Sequence, residues 1–156
     1  MQRVVILGRG AAGKSTLARA LGTITNLPVL ELDKLFWQPG LLPTSRESWS
    51  AAQEQLAARE QWIMDGDLGP YDAVAPRLRR ADTVIILDFS FLRCAWQAIK
   101  RSRERADFWR WLITYRRTHL PRLRQAIAQH APAAELLVFP DARAAERFIE
   151  GIVAGA

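Results

Sequence analysis

Residues 8–15 carry a pattern of glycine, lysine and serine that is typical of loops that bind phosphate. Their sequence is Gly-Arg-Gly-Ala-Ala-Gly-Lys-Ser, which matches G-x-x-x-x-G-K-[ST]. The glycines let successive backbone N–H groups point at one phosphate group. In such a loop Lys14 reaches the β- and γ-phosphates of a nucleotide, and the Ser15 hydroxyl binds Mg²⁺. The predicted contacts to the nucleotide are Gly8, Gly10, Ala11, Ala12, Gly13, Lys14, Ser15 and Thr16.

Two short apolar runs end in aspartate, and one of these carboxylates is expected to order the water shell of the magnesium ion. The first run, Trp-Ile-Met-Asp, ends at Asp65, and the second, Val-Ile-Ile-Leu-Asp, ends at Asp88. In P-loop folds the third strand commonly lies beside the first, which would bring Asp65 close to Ser15. Asp88 is interpreted as the N-cap of the following helix. The metal site is therefore predicted at Ser15 and Asp65, with Asp88 as the alternative acid.

Asp33 and Trp37 follow the second apolar run and are candidates for contact with a substrate. Ligands of open α/β sheets bind outside the carboxyl ends of the strands, so Asp33 is expected to face the phosphoryl acceptor and to accept a proton or a hydrogen bond from its hydroxyl. A salt bridge or a turn is the alternative role for Asp33. Trp37 either stacks on a planar ligand or packs a substrate-binding flap, and packing is favoured. Arg77, which precedes the fourth run, is a candidate for binding an anionic group of the acceptor.

Positive charge is concentrated in residues 93–124, here called the basic segment. It holds ten of the 22 lysines and arginines but only two of the 16 acidic residues, Glu104 and Asp107, while the formal net charge of the chain is +6. Two helices are expected here, over 93–105 and from Asp107 to a break at Pro121. Such a cluster beside a catalytic site usually faces phosphate, whereas on an open surface it binds nucleic acid. A solvated helix face is the third interpretation.

Apolar runs alternate with longer amphipathic stretches, which predicts an α/β fold with a parallel sheet. The predicted strands cover residues 4–7, 29–32, 62–64, 84–87 and 136–139. Thr44 and Glu47 form a capping box that predicts a helix reaching about residue 59. Asp141 is expected to cap the last helix. The sequence shows no repeat or linker, so residues 1–156 are predicted to form one domain.

Composition narrows the class of protein further. The 156 residues are 49% hydrophobic and 24% charged, which is ordinary for a globular domain. No run of eighteen apolar residues occurs, so neither a membrane span nor a membrane partner is expected. The single cysteine, Cys94, cannot form an internal disulfide, and His119 and His130 lack metal-ligand spacing. The expectation is a soluble cytoplasmic protein in which Cys94 packs among apolar residues and the two histidines serve packing or the surface.

Four stretches of the sequence resemble the adenylate-kinase-like P-loop proteins, many of which are labelled DNA topology modulation proteins. The stretches are residues 8–16, 32–37 (Leu-Asp-Lys-Leu-Phe-Trp), 62–66 (Trp-Ile-Met-Asp-Gly) and 81–85. The resemblance implies a three-layer P-loop NTPase fold with a five-stranded parallel sheet in the order 2-3-1-4-5. It also implies that ATP binds at the phosphate loop and that the basic segment forms a small helical lid.

The same resemblance assigns the arginines of the lid. Arg101 corresponds to an arginine at the lid base, and Arg116 and Arg117 fall in the second lid helix. There they would neutralise charge during phosphoryl transfer. The chain departs from the family pattern at two positions. Gln97 stands where an arginine that stacks on adenine is expected, and Ala11 stands where a glycine is usual in the loop.

These features together predict ATP- and Mg²⁺-dependent phosphoryl transfer to a small molecule, such as a nucleoside, a nucleotide or a similar hydroxyl- or phosphate-bearing compound. The residues predicted to be catalytic are Lys14, Asp33, Asp65, Arg101, Arg116 and Arg117. The alternative is a nucleotide-dependent DNA-binding protein that uses the basic segment. A kinase lid should direct its arginines at the phosphate loop, whereas a DNA-binding surface should spread them outward along one face.

Overall fold

Five parallel strands form the central sheet, which is described here from a computed structural model of residues 1–40, 42–101 and 106–155, without the side chains of Pro70 and Arg101. The strands of the chain are β1 (Arg3–Gly8), β2 (Val29–Glu31), β3 (Trp37–Gln38), β4 (Leu42–Pro43), β5 (Trp62–Asp65), β6 (Thr83–Leu87) and β7 (Glu135–Phe139). The sheet has the order β2-β5-β1-β6-β7, and β3 and β4 form a separate antiparallel hairpin. Counted along the chain without the hairpin, this is 2-3-1-4-5, so the predicted sheet is confirmed. The hairpin was not predicted.

Helices cover both faces of the sheet. They are α1 (Lys14–Thr25), α2 (Leu32–Phe36), α3 (Arg46–Ala57), α4 (Ala75–Leu78), α5 (Phe91–Arg101), α6 (Ala106–Thr114), α7 (Leu120–His130) and α8 (Ala142–Gly155). One buried cluster contains Val5 of β1, Trp49 of α3 and Leu123 of α7, and the other contains Ile6 of β1 and Leu21 of α1. The three-layer α/β architecture is therefore confirmed. Every helix in the described part of the chain is too short or too polar to cross a lipid bilayer.

The register of the sheet brings the predicted site residues to one edge. β1 lies between β5 and β6, with Ile6 opposite Asp65 and Gly8 opposite Leu87. The side chains of the central strands are buried on both faces, as parallel sheets require. Because parallel strands end at the same edge, the loop after Gly8, the carboxylate of Asp65 and the chain after Leu87 emerge side by side.

The N-cap of α8 is the predicted residue, and that of α3 lies one residue after the predicted one. Asp141 accepts a hydrogen bond from the Ala144 N–H at 2.8 Å and caps α8, as predicted. At α3 the cap is Ser45, whose hydroxyl oxygen accepts from the Ser48 N–H at 3.2 Å. Thr44 lies one residue earlier and donates its hydroxyl to the backbone of α2 instead. The predicted capping box is therefore wrong, although the helix that it was taken to start is present.

A wide π-helical turn, Tyr115–His119, separates α6 from α7. The predicted break at Pro121 is thus present just ahead of it, where proline lacks the N–H that a regular helix would give to the preceding turn. In a regular α-helix, residues eight apart are rotated by about 80°. The wider turn offsets this rotation, and the rings of Trp111 and His119 lie 5.8 Å apart. Trp111, Tyr115 and His119 consequently share one side of the segment.

Arg77 is completely buried and holds the connection between β5 and α4. Its guanidinium donates to both carboxylate oxygens of Asp72, at 2.8 and 2.5 Å, and to the carbonyl of Gly66 at 3.1 Å. A further hydrogen bond joins it to the side chain of Gln53 in α3. The prediction that Arg77 binds an anionic group of the acceptor is therefore wrong. A sequence does not show that the terminal nitrogens of an arginine are already occupied, here by a carboxylate five residues earlier and by a glutamine of another helix.

The pairing of Arg77 predicts an unequal response of two neighbouring arginines to alanine substitution. Arg77→Ala leaves the Asp72 carboxylate buried without its partner and should lower the free energy of unfolding by about 3–5 kcal/mol. Arg79→Ala removes only an exposed ion pair with Glu54 and should cost less than about 1 kcal/mol. Urea denaturation of both variants measures the difference. Equal losses in the two variants would contradict a structural role for the buried pair.

Candidate active site

The phosphate loop, residues 8–15, connects β1 directly to α1. Gly13 precedes α1 with a φ of 90°, a left-handed conformation that glycine adopts without steric cost. Ala11 is also left-handed, with a φ of 58°, which costs an alanine about 1–2 kcal/mol relative to ordinary helical backbone. α1 begins at Lys14, as the motif predicts, so the positive end of its dipole lies at the loop. The loop therefore has the backbone shape and the helix that phosphate binding requires.

The Lys14 ammonium is folded back onto the loop. It donates hydrogen bonds to the carbonyl oxygens of Gly8, at 3.0 Å, and of Arg9, at 3.1 Å. The ammonium charge already strengthens both bonds, and a phosphate oxygen would strengthen them further because the acceptor would then be charged as well. The lysine is thus placed to move from the loop carbonyls to a phosphate through rotation of its own side chain.

Arg9, the second residue of the loop, is only 2% exposed. Its guanidinium lies 5.4 Å from the ring centre of Tyr115 and 5.9 Å from that of Phe91, and it donates to the Phe89 carbonyl at 3.4 Å. Burial lowers the pKa of this guanidinium. Aromatic faces replace part of the hydration that a buried cation loses. Arg9 therefore links the loop to the basic segment and does not project from the loop toward a ligand.

Asp65 and Ser15 form the part of the site that suits a metal ion. The Asp65 residue is 4% exposed, and its Oδ1 has no hydrogen-bond partner among the described residues. Burial raises the pKa of this carboxyl, while the Ser15 hydroxyl and the Lys14 ammonium oppose the shift. Within the described residues, three or more histidine, cysteine or acidic side chains do not converge into a metal-binding cluster. A carboxylate beside a hydroxyl, with bound phosphates completing the shell, is the arrangement that Mg²⁺ prefers.

Asp33 lies in α2, directly after β2, at the same edge of the sheet. The residue is open to solvent, and its carboxylate has no hydrogen-bond or ion-pair partner among the described residues. Partial desolvation nevertheless raises the pKa of this carboxyl, with Lys14 opposing the shift and the charges of Asp65 and Asp67 adding to it. The salt-bridge alternative for Asp33 is therefore not what the structure shows.

Trp37 begins the hairpin strand β3 and packs against two other rings. Its ring centre lies 4.9 Å from that of Phe36 and 5.8 Å from that of Tyr71, both in edge-on contacts. The side chain is half-buried. Packing accounts for this position, as the sequence favoured, and stacking on a ligand stays a prediction.

The three predicted lid arginines have different surroundings. Arg116 donates from Nε to Oδ1 of Asp88 at 2.9 Å and from a terminal nitrogen to the Asp88 carbonyl at 3.0 Å. Arg117 is exposed and has no ion pair within the described residues. Arg101 ends α5, and its side chain lies outside the described part of the chain. Asp88 is not a helix cap, because the Ser90 hydroxyl takes that position at α5 and accepts from the N–H of Arg93.

Sequence analysis missed one pair of residues at this edge, Asp67 and His119. Nε2 of His119 lies 2.8 Å from Oδ1 of Asp67, whose side chain is only 1% exposed. The only available signal for Asp67 was its position two residues after Asp65, at the edge where ligands bind. No spacing in the sequence marked His119, which was assigned to packing or the surface. Cys94, by contrast, is buried in the core, as predicted.

A cavity of about 440 Å³ adjoins the loop on the side of α1, α5 and α8. Its walls include Thr16 of α1, Arg93 and Gln97 of α5, and Glu146 of α8. The guanidinium of Arg93 lies 5.3 Å from the ring centre of Phe89, which also lines the cavity. Arg93 thus lines the cavity one helical turn before Gln97, the position at which the resemblance led us to expect an arginine.

The fold and the loop together define the class of P-loop α/β proteins. A parallel sheet in the order 2-3-1-4-5 carries a G-x-x-x-x-G-K-[ST] loop between its central strand and the first helix. No protein-family model matches the chain, and no curated protein sequence matches it significantly. Solved structures of small-molecule kinases, in contrast, superpose on nearly all of it.

Three of these structures illustrate the likeness. A shikimate kinase from Acinetobacter baumannii, in complex with shikimate, has a TM-score of 0.69 at 15% identity and covers 98% of this chain and 91% of its own. A gluconokinase from Sinorhizobium meliloti 1021 has a TM-score of 0.58 at 17% identity and covers 99% of this chain and 90% of its own. A deoxyadenosine kinase from M. mycoides with bound dCTP has a TM-score of 0.55 at 14% identity and covers 98% of this chain and 99% of its own. At these identities the likeness shows that the chain has the fold of P-loop kinases.

The position of Asp65 predicts how nucleotide binding depends on Mg²⁺. Asp65→Asn keeps the shape of the side chain but removes its charge, so the gain in ADP affinity that Mg²⁺ provides should fall about tenfold or more. Asp88→Asn should leave that gain unchanged, because this carboxylate is already held by Arg116. Calorimetric titration of ADP with and without Mg²⁺ measures both variants. If the gain in ADP affinity from Mg²⁺ fell in Asp88→Asn but not in Asp65→Asn, Asp88 would be the acid of the metal site.

Proposed function

We propose that the protein is an ATP- and Mg²⁺-dependent kinase that transfers a phosphoryl group to a hydroxyl of a small molecule, such as a nucleoside, a nucleotide or a related compound. One observation carries this proposal: Lys14, Asp65 and Asp33 lie at a single edge of the sheet and interact electrostatically with one another. Their partners in the reaction differ, because Lys14 suits phosphate, Asp65 suits the metal and Asp33 suits a hydroxyl.

The donor nucleotide is proposed to occupy the loop and the adjoining cavity. Backbone N–H groups of residues 8–15 and the dipole of α1 bind its phosphates, and Lys14 leaves the loop carbonyls to join them. The cavity beside Arg93 and Gln97 has room for the base. Ser15 and Asp65 would hold Mg²⁺, which supplies positive charge that neutralises the phosphate oxygens.

The acceptor is proposed to bind on the other side of the loop, with its hydroxyl against Asp33. This carboxylate has no partner among the described residues, so it is available to accept the hydroxyl proton. Its raised pKa makes it a stronger base than an ordinary aspartate. Trp37 forms part of the neighbouring wall and would contact a planar acceptor.

The arginines of the basic segment are proposed to stabilise the charge that spreads over the transferred group. Arg116 is bound to Asp88 at the end of β6, beside the phosphate loop, so it needs only to exchange one anionic partner for another. Arg117 and Arg101 are assigned the same role from their positions in the lid. A segment that covers the loop also excludes water, which would otherwise hydrolyse ATP.

The acceptor can be sought by thermal shift with a non-hydrolysable ATP analogue and Mg²⁺ present. The panel comprises nucleosides, nucleotides, sugars and sugar acids, and includes shikimate, gluconate and deoxyadenosine. An acceptor should raise the melting temperature only when the analogue is bound and should then support ADP formation. A protein that consumes no ATP with any compound that it binds would contradict the proposal.

The unpartnered carboxylate of Asp33 predicts both a rate loss and a change of pH profile. Asp33→Asn cannot accept a proton, so kcat should fall about 10²–10⁴-fold while KM for ATP stays unchanged. In the wild type kcat should decline as pH falls through the raised pKa of Asp33, that is, at a higher pH than an ordinary aspartate would give. Steady-state kinetics at saturating Mg²⁺ measure both effects. An identical acid limb in the variant would exclude Asp33 as the base.

The exposed arginines of the basic segment favour a second candidate function, nucleotide-dependent DNA binding. Arg117, Arg122 and Arg124 all project into solvent, as a surface that tracks a DNA backbone requires. The kinase proposal predicts instead that alanine at both Arg116 and Arg117 cuts phosphoryl transfer severely and hardly alters affinity for duplex DNA.

Measurements of DNA affinity at two salt concentrations, alongside ATP consumption, separate the two functions. If the segment binds DNA, the double variant should flatten the log–log salt dependence by roughly one unit for each DNA phosphate that the substituted arginines no longer neutralise. A steep slope that collapses in the variant, without acceptor-dependent ATP consumption in either protein, would overturn the kinase proposal.

A further inference from the structure

Asp67 is a buried carboxylate beside the phosphate loop to which the proposed kinase reaction assigns no role. Its Oδ1 accepts a hydrogen bond from the Gly69 N–H at 3.1 Å and lies 2.8 Å from Nε2 of His119. Its Oδ2 faces the N–H of Gly8, the first residue of the loop, at 3.4 Å. The partner His119 and the ammonium of Lys14 lower the pKa of this carboxyl in spite of its burial. A charge buried so deeply requires its partners, since leaving it unpaired costs far more than the pair contributes.

His119 lies in the basic segment, at the end of the π-helical turn. The turn keeps it in line with Trp111 and Tyr115, and each of these three side chains contacts a different part of the loop region. Trp111 lies against Gly10 and Gly69, where an added Cβ would approach its ring to 2.8 and 3.0 Å. The Tyr115 ring lies against the Arg9 guanidinium, as described above. The rings of Trp111 and Tyr115 therefore touch the loop directly, as does the ring of Phe108 against Gly10, whereas His119 reaches the loop through Asp67.

Of these contacts only the one made by His119 is directional. Trp111 and Tyr115 touch the loop through their rings, and such contacts tolerate small shifts of the backbone. The hydrogen bond between His119 and Asp67 is short and involves a charged acceptor, and Asp67 in turn faces the backbone of Gly8 and Gly69. This pair is therefore the contact that can hold the backbone of the loop at one position relative to the basic segment.

We propose that Asp67 and His119 act as a positioning pair that joins the basic segment to the phosphate loop and so sets the affinity of the loop for nucleotide phosphates. The proposal rests on the proposed kinase function for its purpose but concerns residues that this function does not use. Neither side chain is assigned a contact with the substrate, and both act through the backbone of the loop. Misplacing the groups that position a substrate by about 1 Å can cost about 10²-fold in rate, so a small shift of the loop is expected to have a measurable effect.

The test compares three histidine variants of the full chain. His119→Leu keeps much of the packing volume but removes the donor, His119→Gln keeps a donor, and His130→Leu is the matched control at the end of α7. ADP affinity is measured by calorimetry. Amide hydrogen exchange of the peptide that covers residues 6–12 is measured by mass spectrometry without nucleotide, so that the position of the loop is tested even if ADP does not bind.

The expected result is specific to the loop. His119→Leu should weaken ADP binding about tenfold or more and accelerate exchange in residues 6–12 by a similar factor, because a buried acceptor is left without its partner. His119→Gln should restore both quantities to within about threefold, and His130→Leu should leave both unchanged. Asp67→Asn combined with His119→Leu should be no worse than the more severe single variant, as for two residues that act as one pair.

Two results would overturn the proposal. One is unchanged exchange in residues 6–12 of His119→Leu, whatever its thermal stability, because the loop would then not depend on the pair. The other is faster exchange with unchanged ADP affinity, because the pair would then serve stability alone. A wild-type protein that binds no ADP would count against the proposed kinase function, and the exchange comparison would still decide whether the pair positions the loop.

Discussion

The site depends on the backbone position of Gly8, the last residue of β1. Gly8 lies so close to β6 that an added Cβ would sit 2.6 Å from the Leu87 carbonyl oxygen. Its own carbonyl accepts from Lys14 at 3.0 Å, and its N–H faces Asp67 at 3.4 Å. One backbone position therefore determines where the loop starts, where the lysine rests and where a buried carboxylate sits. A Cβ at this position would collide with the backbone of Leu87, and the φ of 143° is one that residues with a side chain rarely adopt, so only glycine keeps these contacts.

The features that the sequence predicted correctly are those that depend on neighbours in the chain. The phosphate loop is defined within eight residues, and the strands are continuous apolar runs that a sheet covered on both faces needs. The order of the strands followed from the resemblance to the adenylate-kinase-like proteins. The error at the start of α3 has the same local origin, because Thr44 and Ser45 are both competent caps and only the structure shows that Thr44 donates to the backbone of α2.

The features that the sequence did not predict depend on side-chain partners that no local pattern in the sequence pairs. Arg77 was assigned to the acceptor because no local pattern shows that Asp72 and Gln53 occupy its guanidinium. Asp88 was taken for a helix cap because Arg116, its actual partner, lies 28 residues away. The position of His119 depends on a π-helical turn, whose wider spacing cannot be read from hydrophobic periodicity based on 3.6 residues per turn.

Four of the aspartates at this edge of the sheet, Asp33, Asp65, Asp67 and Asp72, divide into two kinds. Asp72 is ion-paired with Arg77 and Asp67 is hydrogen-bonded to His119, so both carboxylates already have partners inside the protein. Asp33 has no such partner among the described residues, and one oxygen of Asp65 has none. Their pKa values are raised, whereas that of Asp67 is lowered. Carboxylates whose environments separate their pKa values in this way take different roles in catalysis. The two pairs hold the backbone around the site, whereas Asp33 and Asp65 are the carboxylates that the proposed kinase reaction uses for a proton and a metal ion.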